Sequence, residues 1–406
     1  MKEEEEEEEE GEYSSNSRSS SSSPTIILPG EILYEILTRV ALDDLLRRCK
    51  WVCRDWNALT YDSTFRRLHC QRTQSVSGYF IQYATEKRFH TSFVSSINAS
   101  SLLPPSPSPS PSPSPSSISL KFIPGINRRI CTSSYHAQGL VCCMSKSDHK
   151  PGPKRFYVCK PATRQWTEIP NPMNGYYPET MGLVVVKSNP LHYKIVRFSS
   201  RCGCEIFDSK NWAWRTHWEF PRLSYLKREV FLHGSFHWLT TSFGNEKQIF
   251  AFDLYKENCR FIMLPPQSQE EEVEAMNFDN FLVNCDGHLG MIYTPKLKET
   301  AESWSWIEVW VMEDYLKSET TWKKKYTLSL EPLNRIVGRQ YFILAMDTMD
   351  SILVTNFDKL IWYNCSTGVP THVINLEDPI IALETRIHPF ISDDVPCNLG
   401  LPTGQA

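Results

Sequence analysis

The sequence predicts a chain of the α+β class, in which a small three-helix module near the N-terminus precedes an all-β domain of the β-propeller type. Three observations favour this division. Apolar residues recur at helical spacing only between about residues 25 and 70. From Tyr79 onward, short apolar runs alternate with Gly, Pro, Asn and Asp, as in successive strands and turns. The strand pattern then repeats at intervals of about 50 residues, which is typical of propeller blades.

We expect a tail at each end of the chain and one disordered loop within the strand domain. Residues 1–24 are a run of glutamates followed by serines, with too few apolar side chains to fold, so they predict a disordered tail. Within the strand domain, placed at 71–395, a Ser-Pro repeat predicts a disordered, extended loop over 102–117, because proline removes a donor at alternate positions. This loop is either a tolerated insertion or a set of phosphorylation sites. Residues 396–406 are expected to form a second tail.

The helical module has a larger apolar surface than its own core needs. The apolar residues of its first predicted helix are Ile32, Leu33, Ile36, Leu37 and Val40. They fall within an arc of roughly 140° on a helical wheel. A second helix is predicted around residues 45–49 and a third from 52 to 59, with the Val52 and Trp56 side chains on its core face. Three short helices form only a marginal core, so we expect a partner to lay helices of its own against the first one.

Aromatic residues mark the repeat in the strand domain. Tyr157, Phe207, Phe252, Trp310 and Tyr363 follow one another at intervals of about 45 to 58 residues. Strands such as the run from 182 to 186 are apolar on both faces, which favours a blade buried between neighbours over a sheet with one wet face. A β-sandwich with buried central strands is the alternative. The glycine pairs of true kelch repeats are missing, so the propeller is kelch-like in its period only.

Charge and cysteine content narrow the class of protein. The formal net charge is −4, and residues 1–12 alone hold nine glutamates and one lysine. The remainder has only a mild positive excess, so we expect no nucleic-acid partner. We interpret Arg47, Arg48, Lys50 and Arg54 as a solvated helix face or as charge complementary to an acidic adaptor. The thirteen cysteines form no CxxC pair, the start is not a secretory signal, and no apolar stretch approaches a membrane span of about 20 residues. We therefore expect no membrane contact and a location in the cytoplasm or nucleus, with free thiols.

The sequence offers no candidate for catalysis. It contains no nucleophile elbow, phosphate-binding loop, dinucleotide fingerprint or zinc-protease motif. His233 and His237, four apart in one predicted strand, would lie about 13 Å apart, too far for one metal ion. We therefore predict no catalytic residue, no metal site and no cofactor. Substrate contacts are expected on loops such as 172–180, 221–228 and 266–280, because rigid scaffolds carry function on loops.

The module at 25–70 resembles the F-box. The resemblance rests on Leu-Pro-Gly-Glu-Ile-Leu at 28–33, Asp-Leu-Leu at 44–46 and Cys-Lys-Trp-Val-Cys-Arg-Asp-Trp at 49–56. It implies binding to the SKP-type adaptor and, through it, to the cullin of a Skp–cullin–F-box ubiquitin ligase. The adaptor-binding residues that it implies are Leu28, Pro29, Ile32, Leu33, Ile36, Leu37, Leu45, Leu46, Val52, Cys53, Trp56 and Phe65. Gly30 and Cys53 depart from the family's usual residues, but neither change removes an apolar anchor.

The strand domain resembles the F-box-associated domain of plant F-box proteins. The residues that carry this resemblance include Gly-Leu-Val-Cys at 139–142, Pro-Ala-Thr-Arg-Gln-Trp at 161–166 and Ile-Glu-Val-Trp-Val at 307–311. That family recruits protein substrates through this domain. The resemblance therefore implies a non-catalytic, substrate-selecting subunit of a ubiquitin ligase. Two alternatives stay open: a scaffold that binds the adaptor outside a ligase, and a propeller that binds a ligand or acts as an enzyme.

Overall fold

Most of the chain is described by a computed structural model. The described residues are 29–73, 75–84, 89–95, 118–133, 137–146, 154–173, 180–199, 203–217, 229–241, 247–266, 280–293, 306–313, 315, 321–338, 341–348, 350–356, 358–375 and 385–400. The predicted tail at 1–24 and the predicted loop at 102–117 lie outside them.

Four α-helices form the N-terminal module, one more than the sequence predicts. They are α1 (Gly30–Leu37), α2 (Leu42–Arg47), α3 (Arg54–Leu59) and α4 (Ser63–Thr73), with a 3₁₀ turn over Cys49–Trp51 between α2 and α3. Leu37, Leu45 and Phe65 form the core of the module. Val52 was expected on the core face of the third helix, and this expectation was wrong. Because Cys53 is extended, α3 begins only at Arg54, and Val52 is left 63% exposed.

Twenty-three strands and one further helix make up the described part of the strand domain. The helix is α5 (Glu331–Val337). The strands are β1 (Val76–Ala84), β2 (Phe89–Ser95), β3 (Ile126–Ser133), β4 (Val141–Lys146), β5 (Lys154–Lys160), β6 (Gln165–Ile169), β7 (Thr180–Ser188), β8 (Leu191–Ser199), β9 (Gly203–Asp208), β10 (Ala213–His217), β11 (Val230–Leu232), β12 (Ser235–Thr241), β13 (Lys247–Asp253), β14 (Asn258–Ile262), β15 (Phe281–Cys285), β16 (His288–Tyr293), β17 (Trp306–Met312), β18 (Trp322–Ser329), β19 (Phe342–Thr348), β20 (Ser351–Asn356), β21 (Lys359–Asn364), β22 (Val369–Asn375) and β23 (Arg386–Ser392).

The strands form six antiparallel sheets, which are the blades of a propeller. Blade A combines β1 and β2 with β23, and blades B to F are four-stranded meanders of β3–β6, β7–β10, β11–β14, β15–β18 and β19–β22. Buried clusters join each blade to the next: Val158 of blade B packs with Leu183 of blade C, for example. Tyr79 of blade A packs with Trp362 of blade F, so the ring is closed. The predicted propeller is therefore confirmed, and the sandwich alternative is excluded.

The aromatic repeat has a direct structural meaning. Its five members lie on the third strands of five successive blades: Tyr157 on β5, Phe207 on β9, Phe252 on β13, Trp310 on β17 and Tyr363 on β21. All five are less than a tenth exposed. Each blade is packed between two neighbours, so its third strand needs large apolar side chains at equivalent positions. The period of about 50 residues is the length of one blade with its connections.

In blades D and E the turn between the first and second strands is a two-residue turn that ends in glycine. In blade D this turn is His233-Gly234, with φ of 50° and 81°, and in blade E it is Asp286-Gly287, with φ of 45° and 88°. Two successive residues at positive φ are the signature of the type I′ hairpin turn, whose twist matches that of the strands. The glycines are therefore explained by backbone conformation.

A C-terminal segment, Asp393–Gly400, extends the packed domain beyond the predicted boundary at residue 395. We call it the C-terminal strap. Lys160 forms a buried ion pair with Asp393. The Gln165 side chain exchanges two hydrogen bonds with the backbone of Cys397, at 2.9 and 3.0 Å. Leu399 is 6% exposed and packs in the cluster between blades B and C. The strap thus ties the closing blade A to its two successors.

Ending the chain at Val395 is expected to destabilise the propeller by about 2–4 kcal/mol. The loss combines the burial of Leu399, about 2 kcal/mol, with the two hydrogen bonds between the Gln165 side chain and the Cys397 backbone, about 1 kcal/mol each. Denaturant unfolding measures the change. A chain that ends at Gly400 is the matched control, since it keeps the whole strap. Equal unfolding midpoints for the two truncations would show that residues 396–400 of the strap contribute nothing to stability.

Candidate functional site

Helix α1 presents an apolar face to solvent. Ile32 and Ile36, one helical turn apart, are 48% and 46% exposed. Together with Glu31, Glu35 and Arg39 they line a shallow open depression. Isoleucines paired in this way on one helix face are costly to leave in water, and such a face is typical of a binding surface for another protein.

A second exposed apolar site follows the 3₁₀ turn. Trp51 is 64% exposed and Val52 63% exposed. The ammonium group of Lys50 lies 4.9 Å from the centre of the Trp51 ring. Lys50 was expected on a solvated or adaptor-facing helix face, but it is only 9% exposed. This burial lowers the pKa of its ammonium group to about 8. The Lys50 ammonium group thus contacts the Trp51 ring, and most of the Trp51 side chain stays exposed to a partner. Trp51 lies within the motif that carries the F-box resemblance, but it was not among the residues expected to bind the adaptor.

The orientation of α1 is fixed by ion pairs and hydrogen bonds between side chains on its polar side. Glu35 accepts a hydrogen bond from Arg72 of α4 at 3.0 Å and pairs with Arg39 at 2.5 Å. These bonds, the one from Arg72 first, lower the pKa of the Glu35 carboxyl to about 2. Arg72 also donates to the Thr38 hydroxyl at the end of α1. The polar edge of α1 is thus tied to α4, and Ile32 and Ile36 stay exposed.

The twelve residues that the F-box resemblance implies fall into three groups. Leu28 lies outside the described residues. Those at the surface of the module are the exposed Pro29, Ile32, Ile36, Val52 and Cys53 and the half-buried Leu33 and Trp56. Those inside it are Leu37, Leu45, Leu46 and Phe65. The burial of this last group, at 5% exposure or less, assigns it to packing within the protein.

The basic residues of α2 are neutralised locally. Arg47 lies 3.6 Å from Asp43 and 3.9 Å from Asp44, and Arg48 lies 3.2 Å from Asp44. These are i,i+3 and i,i+4 pairs along one helix face. The helix therefore presents little net positive charge.

The module packs on one face of the propeller. Tyr61, between α3 and α4, contacts the first-to-second-strand turns of blades D and E, and Leu46 of α2 packs with Ile391 at the end of β23. The connections between successive blades include 170–179, 218–229 and 263–280. Strand directions place the described strand ends that flank these connections at the opposite face. The three loops predicted to contact substrate belong to these connections. The loop 221–228 lies wholly outside the described residues. Of the other two loops the structure describes only the end residues, among them Met173, which is 70% exposed.

The two histidines of blade D do not share a strand, contrary to the sequence interpretation. His233 lies in the turn, and His237 lies in β12 and is buried. Burial lowers the pKa of His233 to about 4 and that of His237 to about 3. Within the described ranges, no three His, Cys, Asp or Glu side chains are grouped to hold a metal ion.

No helix in the described part of the chain has both the length and the apolarity to cross a membrane.

The exposed α1 face, on a helical module fixed to a six-bladed propeller, defines a class of two-part protein: a binding module joined to a rigid β scaffold. Comparison with protein families identifies both parts. The model for the F-box associated beta propeller domain matches residues 114–373, and the F-box-like model matches residues 26–71. The chain belongs to the family of F-box proteins with an F-box associated β-propeller domain.

Its relatives include plant proteins of the same description. The chain is 29% identical to F-box protein At5g41720 of Arabidopsis thaliana over 175 residues, which cover 42% of this chain and 86% of that protein. It is 24% identical to the putative F-box/kelch-repeat protein At1g12870 of the same plant, over 75% of this chain and 71% of the relative. A third, putative F-box protein At3g25460, is 26% identical over 75% of this chain and 80% of its own length. The resemblance to plant F-box proteins is therefore confirmed.

Proposed function

We propose that the chain is the substrate-recognition subunit of a Skp–cullin–F-box ubiquitin ligase. The observation that carries the proposal is the exposed pair of Ile32 and Ile36 on α1, in a module that the F-box-like family model matches. An SKP-type adaptor would lay its helices against this pair and remove it from water, and the cullin would join through the adaptor. Because each isoleucine is about half exposed in the free chain, burying the exposed halves of both contributes about 1.5–3 kcal/mol to binding.

The surface residues of the module are the ones we assign to adaptor contact. They are Pro29, Ile32, Leu33, Ile36, Trp51, Val52, Cys53 and Trp56. Leu37, Leu45, Leu46 and Phe65 act indirectly, because they hold the helices that carry this surface. Leu28, next to Pro29 in the chain, belongs to the proposed surface by the F-box resemblance alone.

The propeller would hold a protein substrate on the face opposite the module. The connections whose flanking strands end at that face, such as 218–229 and 263–280, have more residues than the two-residue turns 189–190, 233–234 and 286–287 on the side of the module. Long loops on a rigid scaffold are where binding residues concentrate. The chain would supply no catalytic group. It would accelerate ubiquitin transfer by holding an acceptor lysine close to a charged enzyme of the complex, a proximity effect.

Free thiols support the proposed location in the cytoplasm or nucleus. The twelve described cysteines form no disulfide. Reduced cysteines are the rule in those compartments.

Affinity purification of the tagged full chain from plant cells tests the proposal. Recovery of both an SKP-type adaptor and a cullin is expected. Adaptor without cullin would favour the scaffold alternative, and recovery of neither would overturn the proposal in favour of a ligand-binding or enzymatic propeller. Proximity labelling, run with the wild-type chain and with a chain that carries Ile32→Glu and Ile36→Glu, then separates ligase partners from proteins held by the propeller itself.

A further inference from the structure

The joint between the module and the propeller is built around one side chain, Tyr61. Only 4% of this residue is exposed, and it packs in the cluster between blades D and E, with Leu232 and Leu289 among its neighbours. Its hydroxyl accepts a hydrogen bond of 3.1 Å from the backbone N–H of His233. The Tyr61 ring centre lies 5.8 Å from that of the His233 imidazole. A residue of the module is therefore part of a propeller core.

The slot that receives Tyr61 is shaped by two neighbouring turns. On one side stands the turn at His233, and on the other the turn at Gly287. A β-carbon on Gly287 would lie only 3.2 Å from the Cβ atom of Tyr61, closer than carbon atoms normally pack. The turn residues are at positive φ, so their conformation is tightly restricted. The slot is thus narrow and its walls are fixed.

Behind the slot, a series of hydrogen bonds through His237 holds the blade D side of the slot in place. His237 donates from Nδ1 to the carbonyl of Val230 at 3.1 Å, because a carbonyl can only accept. Its Nε2 then accepts from the Tyr315 hydroxyl at 2.7 Å. The Tyr315 ring lies 4.8 Å from the His233 imidazole, and the Arg260 guanidinium covers it at 4.3 Å. The wall against which Tyr61 packs is therefore braced by both strands and side chains.

A second contact prevents the module from turning about Tyr61. Leu42, Leu46 and Cys70 form a buried cluster with Ile391 of blade A. The chain also passes from α4, which ends at Thr73, to β1, which begins at Val76, with almost no linker. Two contacts on different blades fix an orientation, whereas the short connection alone would act as a hinge.

We propose that Tyr61 is a positioning residue that locks the module onto the propeller, so that the surface of α1 keeps one orientation relative to the substrate face. This inference rests on the proposed function for its consequence: a fixed orientation selects which lysines come within reach of the charged enzyme. The geometry of the joint itself does not depend on that function.

Spin labels on the two exposed cysteines of the described chain test the joint. Cys53 lies in the module and Cys259 in blade D. The other accessible cysteines are replaced, and the distance between the two labels on the full chain is measured by pulsed electron–electron double resonance. The wild type should give one narrow distance distribution. Tyr61→Phe should give the same distribution, because it keeps the ring. Tyr61→Ala should broaden it. Ile391→Ala, which leaves the module unaltered, is the second variant in case Tyr61→Ala folds poorly. Distributions as narrow as the wild type in both alanine variants would overturn the proposal.

The consequence is tested separately, in a ligase reconstituted with an SKP-type adaptor and cullin. Tyr61→Ala should bind the adaptor within about twofold of the wild type, because Tyr61 packs in the cluster between blades D and E and does not line the α1 depression. Self-ubiquitylation should be about tenfold slower at the preferred lysines and spread to others, as mapped by mass spectrometry. An unchanged lysine pattern together with a broadened distance would overturn the positioning role. Failure of the wild-type chain to bind the adaptor would instead count against the proposed function and leave the distance result standing.

Discussion

Glutamate at both Ile32 and Ile36 should abolish adaptor binding while the chain stays folded. The two side chains are 48% and 46% exposed, and they form the apolar centre of the α1 depression. In a complex, each glutamate would place a charge against an apolar partner, and central interface positions of this kind cost about 2 kcal/mol or more each. The dissociation constant for a purified SKP-type adaptor should therefore rise by on the order of 1,000-fold. Isothermal titration calorimetry measures it.

The chain provides a matched control for this double variant. Ile336 is also an isoleucine on a short helix, α5, and it is 53% exposed. Ile336→Glu should leave the adaptor affinity unchanged. The melting temperatures of both variants should stay within about 2 °C of the wild type, because surface substitutions cost little stability. A double variant that binds the adaptor with wild-type affinity would place the adaptor elsewhere on the module.

The architecture of the propeller was largely predictable because successive blades carry the same types of residue at equivalent positions. A blade packed on both sides needs an aromatic residue on its third strand, as at Phe207 and Phe252. It also needs a tight first turn, as at Gly234 and Gly287. Both demands are local, so they appear in the sequence at a regular interval.

Ring closure could not be predicted in the same way. Blade A pairs Val76 with Ser392 and Gln82 with Arg386, more than 300 residues apart in the chain. No local pattern records such a partner, since the register follows from the closing of the whole ring. The strap beyond it was missed for the same reason: Gln165 and Cys397 are ordinary polar and apolar residues until the fold brings them together.

The sequence predicted which positions belong to the F-box surface, but it did not predict which of those side chains face solvent and which face the core. An apolar arc on a helix does not say which part faces inward. In the structure Leu37 enters the core and Ile36, next to it in the chain, stays exposed, because α4 packs on only one side of α1. Helix α4 itself was missed because its residues are mostly polar. The available signal was Asp62, whose carboxylate accepts a hydrogen bond of 2.5 Å from the Phe65 N–H and so caps the helix.

Phe65→Ala should abolish adaptor binding because it unfolds the module. The substitutions at Ile32 and Ile36, in contrast, should abolish binding by removing a direct contact while the module stays folded. Phe65 is fully buried, and its ring lies 5.3 Å from that of Tyr34 and 6.1 Å from that of His69. Truncating a buried phenylalanine costs about 3–5 kcal/mol. The module has only a small core, built on Leu37, Leu45 and Phe65, so a loss of this size is comparable to the whole stability available to it.

Hydrogen exchange distinguishes this route from a direct contact. In Phe65→Ala, the amides of α1 and α4 should lose their protection while those of β12 and β13 in blade D keep it, because the propeller has its own clusters. Phe65→Leu, which refills most of the volume, should restore most of the protection and of the adaptor affinity. If Phe65→Ala instead kept α1 protected and still lost the adaptor, Phe65 would touch the partner directly, as the F-box resemblance implies. Protection lost together with affinity would assign Phe65 to the core that holds Ile32 and Ile36 in place.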